Sequence, residues 1–214
     1  RHSFPTRRSS DLTNGAGQPA VQCGASATLY ARNLQISNSA NPGGGIYANS
    51  CTKVEVEKTK ISGTAGYGIF ITGGNGHRVI NNAIINSGSA VEPAGMRISG
   101  SAAGLFSFNT VASNRQGGIV CDSSVAVTDS VVMANGAGPE LSANCQPTRI
   151  VTSGVTLDPS YTNATPGDPK VISDPGNVCV DKGMPDANMT IKDDYYGAKR
   201  PQGNGYDIGF QEVR

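Results

Sequence analysis

The chain has 214 residues, 37% of them apolar and 15% charged, with 28 Gly, no Trp and a net charge of +1. This length allows one domain with a sizeable core, and the composition fits neither a Leu/Glu/Lys-rich helical enzyme nor a disordered chain, because β-branched residues recur at regular intervals. Near-neutral charge gives no electrostatic basis for binding nucleic acid or an anionic membrane, and no apolar run approaches the roughly 20 residues of a membrane span.

Arg1 to Leu12, RHSFPTRRSSDL, is basic and unlike everything after it. It closely resembles the in-frame translation of a short-read sequencing adapter. Residues 1–12 are therefore expected to be a disordered artefact, and the chain a C-terminal fragment whose true start and export signal lie upstream. The stretch lacks the apolar segment of a signal peptide.

From residue 13 to 145 the chain repeats. TLYARNLQISNS (from Thr28) is followed by GIYANSCTKVEVEKTKISG (from Gly45), GIFITGGNGHRVINNAIINS (from Gly68), GMRISGSAAGLFSFNTVASN (from Gly95) and GIVCDSSVAVTDSVVMAN (from Gly118). The four leading glycines stand 23, 27 and 23 residues apart, a period that marks stacked repeats. Each unit holds three short runs of period-2 alternation separated by Gly, Asn and Ser, with no helical stripe and no Leu ladder. This pattern predicts an all-β, right-handed parallel β-helix of about five to six coils, stacked about 4.8 Å apart. Ile46, Ile69, Met96 and Ile119 should point inward. In the third strand of the unit from Gly68, either Ile84 or Ile85 could do so. Asn38, Asn82, Asn86, Asn109, Asn114 and Asn135 fall near corners, where Asn tolerates left-handed backbone and can bond the same group one coil away; this ladder is favoured over sugar binding.

Five cysteines lack zinc-type spacing. Cys121 and Cys145, 24 residues apart, and Cys23 and Cys51, 28 apart, are about one coil from each other and so are candidate disulfides. The alternative is a buried stack of reduced thiols. Cys179 has no obvious partner.

Residues 146–214 lose the period and are expected to form final coils and a terminal cap. Gly203-Asn204-Gly205 suggests a hairpin that brings Arg200 to Asp207, a pair that should hold the cap together. Here the chain resembles a known group. The segments NSGSAV, DSVVMANG, NVCVDKG and above all DDYYGAKRPQGNGYDIGFQE are similar to bacterial right-handed parallel β-helix repeat proteins of the pectate-lyase-like superfamily. The ending resembles that of choice-of-anchor Q domain proteins. The resemblance spans about residues 66–214 and implies an exported protein, secreted or on the cell surface.

Pectin-cleaving relatives of this shape need Asp pairs or Asp-bound calcium with a base. Thr13 to Cys121 contains no Asp, and its acidic residues are Glu55, Glu57 and Glu92. Glu55 and Glu57 should share an outer strand face about 7 Å apart, flanked by Lys53, Lys58 and Lys60 as a solvated charged face. His77 and Arg78 in NGHR, with Arg97 in MRIS, faintly resemble polygalacturonase elements but lack the acidic ones, so His77 is read as a turn residue. No catalytic residue, metal ligand or cofactor is assigned. A structural calcium at Asp193, Asp194 and Asp207 is weighed against capping and turn roles, which are favoured. The strongest binding feature is a column of Tyr47, Phe70 and Arg97, with Val120, projecting outward from successive coils. Aromatic faces stack on sugars, and Arg binds acidic sugars bidentately. The expected protein is an exported, monomeric β-helix that binds polysaccharide or serves a structural role such as an adhesin stalk. The alternative is a polysaccharide lyase or glycoside hydrolase whose catalytic coils are missing or degenerate.

Overall fold

A computed structural model describes residues 11–12, 17–37, 44–89, 95–100, 103–158, 169–174, 176, 178–186, 188 and 190–212. These form a parallel β-solenoid. Strand β1 (Asp11–Leu12) comes first. Coil one holds β2 (Val21–Cys23), β3 (Thr28–Arg32) and β4 (Gln35–Ser37), and coil two β5 (Ile46–Asn49), β6 (Lys53–Glu57) and β7 (Lys60–Ser62). Coil three holds β8 (Ile69–Thr72), β9 (His77–Ile80) and β10 (Ala83–Ile85), and coil four β11 (Met96–Ser99), β12 (Gly104–Ser107) and β13 (Thr110–Ala112). Coil five is β14 (Ile119–Cys121) and the long β15 (Val125–Met133). Then follow β16 (Cys145–Val151), β17 (Thr156–Leu157) and β18 (Val171–Ser173).

Three faces result. The first is β2-β5-β8-β11-β14. The second and third, headed by β3 and β4, merge into one sheet because β15 runs through the corner between them and β16 pairs along it. Asp11–Leu12 pairs in parallel with Gln35 and Ile36, so these two residues are ordered as strand where the adapter-like stretch was expected to have no structure. Asn38 and Glu92 lie outside the described residues. No helix among the described residues is long and apolar enough to cross a membrane.

Inward residues stack in register: Ile46, Ile69, Met96 and Ile119 on the first face, and Ile36, Ile61, Ile84 and Val111 on the third. The third face resolves the Ile84/Ile85 ambiguity. Ile84 enters the central core, whereas Ile85 is equally buried because it points outward against the tail. Ile85, Ala112 and Val131 form an outer apolar stripe covered by Val155, Leu157, Cys179 and Ile208.

The corner between the second and third faces is a column of left-handed residues: Asn33, Lys58, Asn81, Phe108, Asp129 and Arg149, with φ from 48° to 54°. Non-glycine residues rarely adopt this conformation; the column is tied along its length where Asn33 N–H donates to Glu57 O (3.1 Å) and Lys58 N–H to Ile80 O (3.3 Å), one coil on. Just inside runs a buried ladder. Thr59 N–H donates to Asn82 Oδ1 (2.9 Å), Asn82 N–H to Asn109 Oδ1 (3.1 Å) and Asn109 N–H to Ser130 Oγ (3.1 Å). The Asn82 and Asn109 amides donate to Val56 O and Val79 O. A second ladder passes through Ser87, Asn114 and Asn135. These side chains satisfy backbone groups that the corner removes from the strand ladder. Asn86 is different: it is itself a left-handed corner residue, φ 51°.

Cys23 is bonded to Cys51 and Cys121 to Cys145, with Cα–Cα distances of 6.1 and 5.1 Å. The first bond joins coils one and two, the second coil five and β16. Cys179 is buried as a free thiol, and burial pushes its pKa up to about 12.

The tail departs from the expected terminal cap. Its described residues between 178 and 212 lie along the side of the solenoid, over the left-handed corner. Lys58 pairs with Asp193 (2.7 Å), Arg78 donates to Thr190 Oγ1 (2.7 Å) and Asn81 donates to Asp193 O (2.7 Å). Further down, Phe210 N–H donates to Thr110 Oγ1 (3.3 Å) and Gly209 N–H to Asp129 O (2.9 Å). Residues flanking 203–205 do not form a hairpin: Tyr206 bridges Gly183, and Gly205 N–H donates to Asp181 Oδ1 (2.8 Å). Arg200 meets Asp207 at its backbone carbonyl, and the carboxylate that its guanidinium pairs with is that of Glu212. The Arg200 side chain is 0% exposed and donates to the Asp207 carbonyl and to Glu212 Oε2, both at 2.8 Å. It also donates to Gly209 O (2.7 Å) and Asn81 Oδ1 (3.3 Å) and lies over Phe108. The Asp207 carboxylate instead accepts the Asp181 N–H (2.7 Å). A buried guanidinium needs a carboxylate and several acceptors at once, and Glu212, two backbone oxygens and the Asn81 amide supply them, with the Asp194 and Asp207 charges nearby.

Candidate functional site

The outward column on the first face is set by strand register: Gln22, Tyr47, Phe70, Arg97 and Val120 stand on β2, β5, β8, β11 and β14. Period-2 alternation places them outside because their neighbours Ile46, Ile69, Met96 and Ile119 fill the core. Tyr47 and Phe70 have ring centroids 5.2 Å apart, and both rings are half-buried. The Arg97 guanidinium caps Phe70 at 5.4 Å.

Two partners escaped the sequence reading. Tyr67, in the turn before β8, packs on Phe70 at 5.1 Å and accepts a hydrogen bond from Arg97 Nη1 (2.9 Å). Asp122 accepts from Arg97 Nε (3.1 Å) and Nη2 (2.9 Å). This hydrogen-bonded pairing raises the Arg97 pKa above its ordinary value. Asp122 is the first Asp after a long Asp-free stretch, and Tyr67 takes a position where coils two and five have Gly44 and Gly117; comparing coils position by position could have found both. Arg97 is therefore not a free bidentate donor for a sugar carboxylate, because its fork is engaged by Asp122. What remains accessible is an aromatic platform of Tyr47 and Phe70, edged by a neutralised ion pair whose two side chains are each 35% exposed.

The other candidate residues are built into the fold. His77 is not a turn residue but opens β9 and faces inward, 2% exposed. Its Nδ1 accepts the Val54 N–H (3.1 Å), which leaves Nε2 as the protonated nitrogen, donating to Gly73 O (2.8 Å). Both ring nitrogens are thus committed to backbone. Glu55 and Glu57 share the outer face of β6 as expected, but Glu55 is buried rather than solvated. It pairs with Arg32 and Lys53, both at 2.6 Å, and Glu57 pairs with Arg78 at 2.5 Å. Burial pushes the Glu55 carboxyl up, but hydrogen bonds from Lys53 and Arg32 outweigh it and hold the group below the ordinary range. Lys60 does not belong to this charged face: it is buried on β7. Asp193, Asp194 and Asp207 do not converge. Asp193 faces Lys58, Asp194 accepts the Ala198 and Glu212 N–H groups, and Asp207 accepts that of Asp181. Among the described residues no three His, Cys, Asp or Glu side chains are grouped to hold a metal ion.

A three-faced parallel solenoid with Asn-laddered corners defines a β-helix repeat protein. Residues 19–164 match the model of the right-handed β-helix region, and the chain belongs to that family. No curated protein and no solved structure matches the chain significantly. The fold supports a structural or carbohydrate-related role in general.

Proposed function

We propose that this chain is part of an exported β-helix protein that binds polysaccharide along its first face, on the platform of Tyr47 and Phe70. The observation that carries this reading is the pair of half-exposed rings on adjacent coils, in contact at a centroid distance of 5.2 Å and tilted by 42°. Exposed aromatic faces present apolar surface to the C–H face of a sugar, and Tyr47 and Phe70 place two such rings on adjacent coils. Because Asp122 neutralises Arg97, the platform suits a neutral glycan better than a uronate. Two disulfides in a chain of this size support export, since such bonds persist in oxidising compartments.

The test is retention on immobilised neutral and acidic polysaccharides. Tyr47→Ala and Phe70→Ala should each weaken binding about tenfold, the loss of an aromatic anchor. Retention that survives the double substitution would remove the platform, and tighter binding to polyuronate than to neutral glycan would overturn the preference.

A further inference from the structure

Four Asn-Gly pairs occur in the chain, and the first, Asn14-Gly15, lies outside the described residues. An Asn-Gly pair is open to an internal reaction because glycine has no side chain to shield its own nitrogen. That nitrogen loses its proton and attacks the asparagine Cγ. A new C–N bond closes a succinimide, the Cγ–Nδ2 bond breaks, and ammonia leaves with the proton. Water then opens the ring at either carbonyl to give aspartate or isoaspartate. The reaction needs a glycine N–H that is not held in a hydrogen bond and an asparagine amide that can turn.

The three described pairs differ in these two respects. Gly136 N–H donates to Asn114 O (2.7 Å), and the Asn135 amide is locked in the second ladder. Asn204 is exposed, but Gly205 N–H is held by Asp181 Oδ1 at 2.8 Å. At Asn75-Gly76 both residues are exposed, and neither the Gly76 N–H nor the Asn75 amide makes a hydrogen bond among the described residues. Gly76 has φ 66°, and a Cβ built on it would meet nothing within 4 Å. The flanking Gly73, Gly74 and His77 are hydrogen-bonded to neighbouring backbone, so the freedom of this turn is confined to Asn75 and Gly76.

We propose that, among the described residues, Asn75 is the deamidation site of this protein. The site bears on the fold, independently of any glycan. Asn75 lies within the turn closed by the His77 Nε2–Gly73 O bond. Isoaspartate lengthens the backbone inside that turn by one methylene, and either product adds a carboxylate at the corner between the first and second faces.

The full chain is held at mildly alkaline pH, digested and mapped by mass spectrometry, with labelling by an isoaspartate-specific methyltransferase. The peptide bearing Asn75 should gain the amide-to-acid mass change and accept label, while those bearing Asn135 and Asn204 lose no amide. Asp181→Ala should release the Gly205 N–H and make Asn204 a second site. An intact Asn75, conversion of Asn135 or Asn204 ahead of it, or an unconverted Asn204 in the Asp181→Ala variant would each overturn the proposal.

Discussion

Replacing Arg200 with Met removes the pin between the tail and the solenoid while keeping much of the volume. The guanidinium makes four hydrogen bonds, two to backbone oxygens of the tail, one to Glu212 and one to Asn81 of coil three. Its loss leaves Glu212 as a buried, uncompensated carboxylate. Burial already pushes the Glu212 carboxyl up and Arg200 draws it back, so removal should drive it further up. Breaking a buried pair from one side costs about 3–5 kcal/mol. Glu212→Gln in the Arg200→Met background should recover part of that, because the amide carries no charge to strand. The loss should also be local. Hydrogen exchange should rise at tail amides such as Ile208 and Gly209, which donate to Cys179 O and Asp129 O, before it rises in β8 or β11. Arg200→Met that lowers stability by less than about 1 kcal/mol, or that leaves tail protection intact, would refute this reasoning.

Asn109→Ala should destabilise the chain by roughly 2–5 kcal/mol in urea titrations, because it orphans the buried Asn82 N–H and Val79 C=O. Cys121→Ala with Cys145→Ala opens a loop closed over 24 residues and should cost about 3.5 kcal/mol on the chain-entropy estimate; added exchange should be confined to β14–β16, with β2 and β5 unchanged. Asp174 yields a pH effect. Burial pushes its carboxyl up, but N–H donors from Val178, Cys179 and Val180 outweigh it and hold the group below the ordinary range. Its contribution is therefore fully present above about pH 4 and lost as the pH falls below that; melting temperatures of wild type and Asp174→Asn should differ at neutral pH and converge on acidification.

Much of the solenoid was legible because one physical rule repeats. Alternation fixes which side chain turns in, and the 23-to-27-residue glycine spacing fixes the coil, so Ile46, Ile69, Met96 and Ile119 align without knowledge of any contact. The outward column followed from the same rule. The tail did not, because its partners lie up to 119 residues away, as for Arg200 and Asn81, and follow no period. Phe108 and Arg149 in left-handed corners were equally hidden, since neither residue type favours that backbone. The engagement of Arg97 was missed because Asp122 sits one coil on and two residues along the register, a diagonal that a column-by-column reading does not inspect.

A stack of repeats in which each coil touches only the next would unzip one coil at a time. Here the tail ties Lys58 of coil two, Asn81 of coil three, Thr110 of coil four and Asp129 of coil five to one continuous strap. That strap makes the coils share load. None of coils two to five can leave the stack without first peeling the tail from it, so four neighbours in a one-dimensional array are coupled through one segment as well as through each other.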